Sequence, residues 1–138
     1  TPLKRTITGY PVRAAKETDL EACCQLCRNI HGHDRRNELR GAIQQQTATV
    51  VERNGRITGY ATVIGFFGHA VAESNEDLKA LIAAAPEIAG PGLLLPARNG
   101  ELFRWCLSEG LKVVQPMTLM SRGLYNEPRG AFLPSILY

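Results

Sequence analysis

Read as a pattern of apolar and polar positions, the chain divides into alternating strand-like and helix-like segments. Tyr10, Pro11, Val12, Arg13 and Ala14 form a short β-like run, and Thr18 with Glu21 has the spacing of a capping box that starts a helix. Leu20, Cys23, Cys24, Cys27 and Ile30 then recur at three and four residues, so one stripe of this helix is buried as far as about His31. Gly32 breaks it. Asp34 caps a second, more polar helix carrying Leu39, Ala42 and Ile43 and ending near Gln46. Residues 47–53 are rich in β-branched side chains, and Asn54-Gly55 is the strongest short hairpin signal, because both residues tolerate positive φ. The returning strand is expected to run from Arg56 to about Phe67. Gly59, Gly65 and Gly68 within it point to bulges or to close approach by another group.

The second half continues the alternation. Ser74, Asn75, Glu76 and Asp77 form another cap-like start, followed by a narrow stripe of Leu78, Leu81, Ile82 and Ala85 that stops before Pro86. Residues 91–97 contain an aliphatic run without alternation, expected as a strand buried on both faces. A helix follows from Asn99 to about Glu109, burying Leu102, Phe103, Cys106 and Leu107 and closing at Gly110. Residues 111–121 alternate loosely and are expected as a last long strand. Phe132, Leu133, Ile136, Leu137 and Tyr138 make the tail too apolar to hang in water, so it is expected to dock on this domain or on a partner. There is no internal repeat. The order predicts an α/β sheet flanked by about four helices.

Composition narrows the class. With 138 residues, 44% apolar and 21% charged, the chain can bury one core without disulfides or metal. No apolar run reaches the roughly 18 residues of a membrane span. Residues 1–9 lack an apolar signal core and read as a linker or N-terminal extension, with residues 10–138 as the single domain. The net charge of +3 is spread out. Arg35, Arg36 and Arg40 form the one tight basic group, read as a solvated face rather than a nucleic-acid track, although it suits an anionic small molecule.

The four cysteines are Cys23, Cys24, Cys27 and Cys106. Cys24 and Cys27 have C-x-x-C spacing but no second ligand pair, and Cys23, Cys27 and His31 share a helix face on which a single-helix metal site is conceivable. The favoured reading is free, buried thiols, no metal, and a reducing cytoplasm.

Three segments, in order, carry a family resemblance. Residues 12–20 resemble the first strand and helix start of GNAT N-acyltransferase domains. Residues 50–60, with the Asn54-Gly55 turn and Ile57-Thr58-Gly59-Tyr60, resemble their central hairpin. Asn99 and Gly110-Leu111 match the spacing of the Asn that ends the fifth strand and of the Gly-aromatic pair after the fourth helix. The resemblance implies a GNAT-like mixed central sheet, acetyl-CoA as coenzyme and an amine of a small molecule or peptide as acceptor. Residues 68–73, leading into a helix with Ala80 and Leu81, resemble the C-terminal domain of tandem GNAT proteins, which implies an N-terminal GNAT domain as partner, or a second copy.

Two departures from the family pattern bear on activity. The R/Q-x-x-G-x-G/A loop that brings backbone N–H groups to the coenzyme pyrophosphate is absent; in its place stand Glu73, Glu76 and Asp77, which would repel a phosphate. Where many GNAT enzymes carry a Tyr acid seven residues after the Asn, this chain has Cys106. The resemblance therefore leaves two expectations: a degenerate domain serving assembly or acceptor binding, or an active domain that binds acetyl-CoA without the usual loop. For the latter, Phe66, Phe67, Gly68 and Asn99 are the coenzyme-binding candidates, His69 the base, and Cys106 or Tyr125 the acid. His31, His33, Trp105 and Tyr138 are further candidates, with structural roles as the plainer reading.

Overall fold

A computed structural model of the chain describes residues 2–137. It comprises β1 (Val12–Ala14), a 3-10 turn (Glu17–Asp19), α1 (Leu20–His31), α2 (Arg36–Gln44), β2 (Thr49–Arg53), β3 (Arg56–Ala61), β4 (Ala70–Ala72), α3 (Asn75–Ala84), α4 (Gly100–Ser108) and β5 (Ala131–Leu133). The strands form one five-stranded sheet in the order β1-β2-β3-β4-β5. Every named pair is antiparallel; among the described residues parallel pairing is confined to an isolated bridge between Gly65 and Ala89. The expected α/β class, with helices over a sheet, is what the chain adopts.

Side-chain alternation along the strands assigns the two faces. Val51, Ala61, Ala70, Ala72 and Leu133 pack with Leu78, Leu81, Leu102 and Cys106 of α3 and α4. Val50, Tyr60, Val71 and Phe132 pack with Leu20, Cys23, Cys27 and Leu39 of α1 and α2. The Asn54-Gly55 turn joins β2 to β3 with φ of 53° and 73°, as its sequence predicts.

Five expectations are corrected. Asp19, not Glu21, returns to the backbone at the start of α1: it accepts from Lys16 N at 2.8 Å, while Glu21 binds Arg28 and Arg36. The strand expected over 56–67 ends at Ala61. The chain turns at 62–69, where Gly65 lies so close to Ala89 that an added Cβ would meet its carbonyl oxygen at 2.3 Å. Residues 91–97 are not a strand and are half-buried or exposed, because β5 occupies the edge of β4. Residues 111–121 are also not a strand and stand open to solvent, with no ladder partner among the described residues. In α4, Leu102 and Cys106 are buried, but Phe103 and Leu107 are exposed.

The tail, expected to dock, is buried through Leu133 and again at Ser135, whereas Ile136 is exposed. Ala131, Phe132 and Leu133 are buried as an edge strand, and Ile136 N bonds Phe66 O at 3.0 Å. Leu137 is exposed, and Tyr138 lies outside the described residues. No helix among the described residues is long and apolar enough to cross a membrane.

Candidate functional site

The N-terminus of α3 is closed by the protein's own carboxylate. Ser74 caps the helix by accepting from Asp77 N, and its hydroxyl donates back to Asp77 Oδ2 at 2.6 Å. A bulge opposite Val51 and Glu52 inserts Thr58 as an extra residue in β3, and its hydroxyl donates to Asp77 Oδ1 at 2.6 Å. Arg53 completes the cage from Nε at 3.1 Å and Nη2 at 3.3 Å. Asp77 has no solvent exposure. Beside it, Glu73 pairs with Arg56, and Asn75 exchanges amide hydrogen bonds with Asn99 at 3.0 and 2.8 Å.

A coenzyme pyrophosphate does not fit this donor set. The positive end of the helix dipole is satisfied by Ser74 and Asp77, and the nearby cations Arg53 and Arg56 are held by Asp77 and Glu73. A cleft of about 430 Å³ opens next to it, lined by Ser74, Asn75, Arg98, Asn99, Gly130 and Phe132 among others. Asn99 is committed there: its Oδ1 caps α4 through Leu102 N, and its amide faces Asn75.

On the other face of the sheet, His69 is buried between strand and helix. Its Nε2 lies 2.8 Å from Tyr60 Oη and its Nδ1 lies 3.2 Å from Glu38 Oε1. Hydrogen bonding from His69 holds the Glu38 carboxyl below the usual range, so Glu38 is charged and only accepts. His69 Nδ1 therefore carries the hydrogen, and the Tyr60 hydroxyl donates to Nε2. Burial pushes the His69 pKa down despite the carboxylate, and burial pushes the Tyr60 hydroxyl up. Arg35 binds the second oxygen of Glu38 at 2.7 Å. Glu38 is the partly exposed end of this relay, and it lines a second cleft of about 340 Å³ with Asn37, Gln45, Thr47, Thr62 and Phe67.

The structure does not gather the expected catalytic residues. His69 bonds Tyr60 and Glu38 on the α1/α2 side, whereas Cys106 packs into the α3/α4 core on the opposite side of the sheet. One proton-transfer site cannot use both. Burial pushes the Cys106 thiol up to about 11, which makes it a weak acid at neutral pH. Tyr125 sits partly exposed in the open stretch after α4. Phe67 lines the cleft by α2 and Asn99 the cleft by α3, so the coenzyme candidates are divided as well.

The remaining candidates have structural surroundings. His31 packs edge-on against Phe132 with centroids 5.4 Å apart, and burial pushes its pKa down to about 4. His33 is exposed, and Trp105 is partly buried against the α3/α4 core. All four cysteines are buried and unpaired, and no group of three metal-ligating side chains occurs among the described residues. Arg35, Arg36 and Arg40 each pair with a carboxylate, of Glu38, Glu21 and Glu17. Sequence reasoning missed Glu38, Tyr60, Thr58 and Arg53. Nothing local links Glu38 to a histidine 31 positions away.

The model of the acetyltransferase (GNAT) domain family matches residues 23–131. Among solved structures, a mutant of TTHA1254 from Thermus thermophilus is similar with a TM-score of 0.55 at 20% identity, over 85% of this chain and 99% of that one. A GNAT-family acetyltransferase from Bacillus cereus aligns over 90% of this chain and 94% of its own, at 12% identity and a TM-score of 0.47. No curated protein matches the sequence.

Proposed function

This chain belongs to the GNAT acetyltransferase domain family, and from that premise we propose that it serves acceptor binding or assembly in acetyl-CoA-dependent N-acetylation, as the C-terminal half of a two-domain enzyme. Its partner is an N-terminal GNAT domain that holds the coenzyme, or a second copy, and its place is the cytoplasm, which suits four unpaired cysteines. The observation that carries this reading is the buried Asp77 at the start of α3. A dianionic group brought there would meet Asp77 and Glu73, whose neighbouring cations are already paired with them.

Calorimetric titration of the chain with acetyl-CoA tests it. The expected result is no saturable binding. A dissociation constant in the low micromolar range, about −8 kcal/mol, overturns the reading.

The second reading is an active N-acetyltransferase that takes acetyl-CoA without the usual loop. It draws support from the cleft of about 430 Å³, where Arg98 offers a cation beside Gly130. Arg98 is already engaged by Glu127 at 2.5 Å and donates to Pro128 O at 3.1 Å, which weighs against it.

A further inference from the structure

Between Leu111, whose N–H bonds Cys106 O, and Arg129, whose N–H bonds Ile30 O, the chain makes no backbone–backbone hydrogen bond among the described residues. The far end is pinned further: Asn126 donates to His31 O at 3.1 Å, and Glu127 pairs with Arg98. Residues 112–125 are left standing off the body. Connections of this length without structure of their own are uncommon and usually functional. Lys112 and Arg122 are the only charged residues in the stretch, and it contains no carboxylate.

Six of its side chains, Val113, Val114, Met117, Leu119, Met120 and Leu124, are more than half exposed. At roughly 100 Å² for each open side chain they present on the order of 600 Å² of apolar surface. That reaches the upper end of the largest patch on a typical monomer, and with the adjoining backbone it supplies most of the about 800 Å² that each partner gives to a stable interface. Pro116 cannot donate to a ladder, so a strand here begins at Met117. It would place Met117, Leu119 and Ser121 on one face and Thr118 and Met120 on the other.

The sheet supplies the matching edge. β5 is bonded to β4 on one side and has no ladder partner on the other among the described residues, although Ala131, Phe132 and Leu133 are all buried. Such an edge is a template for pairing. The opposite edge, β1, is blunted by the ion-paired Arg13, and its side chains are half-buried or exposed. Each copy thus carries an unpaired strand-like segment and an apolar edge of the same sheet. Reciprocal exchange between two copies satisfies both and closes on a two-fold axis.

We propose that residues 117–121 add as an outer strand to β5 of a second copy, each copy giving its segment to the other. The inference rests on the assembly reading above; it selects a second copy as the partner and names the surface that holds it.

Sedimentation equilibrium of the chain, with hydrogen exchange read on the same samples, tests it. A reversible dimer is expected, in which the amides of Thr118, Leu119 and Met120 exchange about tenfold or more slower than after dilution to the monomer. Leu119→Asp and Met120→Asp alter side chains that are exposed in one copy, so each should weaken the dimer about tenfold or more and leave the melting of the diluted monomer unchanged. A chain that stays monomeric at every concentration overturns the proposal, whether the segment then binds lipid vesicles or folds onto its own β5. A dimer that both variants leave intact, or one in which these three amides still exchange fast, also overturns it. A monomer that takes up no acetyl-CoA would sink this inference alone, whereas a dimer that binds the coenzyme at low micromolar concentration would sink only the reading it rests on.

Discussion

Thr58 donates its hydroxyl hydrogen to Asp77 Oδ1 across 2.6 Å, and neither side chain has any solvent exposure. The bulge that turns Thr58 inward also lets Glu73 N reach Thr58 O at 2.9 Å, so strand β3 and the start of α3 are tied at two points. Hydrogen bonds to a charged group contribute about 1.5–3 kcal/mol. Thr58→Val should therefore cost about 2 kcal/mol, and Asp77→Ala, which leaves Arg53 unpaired, about 3 kcal/mol or more. In the double variant the costs should fall well short of additive, because both changes remove the same bond. Urea unfolding measures all three; additive losses would show that the two residues act independently.

The terminal strand should be indispensable to the fold. Phe132 and Leu133 are buried on opposite faces of the sheet, and removing a buried aromatic side chain costs about 3–5 kcal/mol. Phe132→Ala should lower the melting temperature by roughly 10 °C at about 3 °C per kcal/mol for a domain of this size. Deleting residues 132–138 should go further and expose the β4 edge to pairing with other chains. Unchanged melting and sedimentation after truncation would refute this.

Stability should fall on mild acidification. His31 is held near 4 and His69 below its ordinary value, both by burial, so between these values and about 6.5 the unfolded chain binds the extra protons. Their contribution is complete above about 6.5 and is lost as pH drops, at up to about 1.4 kcal/mol per pH unit for each histidine. Asp19, Glu38 and Glu101, whose pKa values are lowered by hydrogen bonds from Arg13, His69 and Lys79, add to the loss only below about 4.5. Denaturant melts at pH 7, 6 and 5 should show the decline, and His31→Gln should flatten it. Stability that is level or rises toward pH 5 contradicts the assignment.

The thiols should be slow to react in the native state. Burial pushes Cys23 up to about 12 and Cys106 up to about 11, and also raises Cys24 and Cys27. The thiolate is the reactive form. A thiol reagent at pH 8 should label all four cysteines in denaturant and none rapidly without it. Fast labelling of Cys23 or Cys106 in the folded protein would contradict their burial.

Local chemistry was readable where it acts within a few residues. The stripe of Leu20, Cys23, Cys24, Cys27 and Ile30 is buried, Ser74 and Asp77 form their cap, and Asn54-Gly55 makes its turn. Each depends on spacing along one element or on the backbone preferences of adjacent residues. The glycines after Ala61 did mark close backbone approach, but a reading along the chain cannot distinguish a bulge from a reversal. Gly65 meets Ala89, which is 24 positions away.

Strand partners and the site were decided by packing. Residues 91–97 and 111–121 have strand-like composition, yet the place beside β4 went to Ala131–Leu133, where Ala131 and Leu133 fill the α3/α4 core and Phe132 meets the α1/α2 core. A ladder is chosen by which segment buries most surface on both faces, and that is a property of the assembled sheet. The same holds for chemistry. His69 was visible as a candidate from its position, but its protonation, its link to Glu38 and its separation from Cys106 follow from which face of the sheet each side chain joins. The order of caps, turns and apolar stripes, with the family that order indicates, was already present in the amino-acid sequence. Tertiary structure decided which charges are buried, which are paired and which remain free to meet a ligand, because desolvation and ion pairing depend on neighbours brought together from distant parts of the chain.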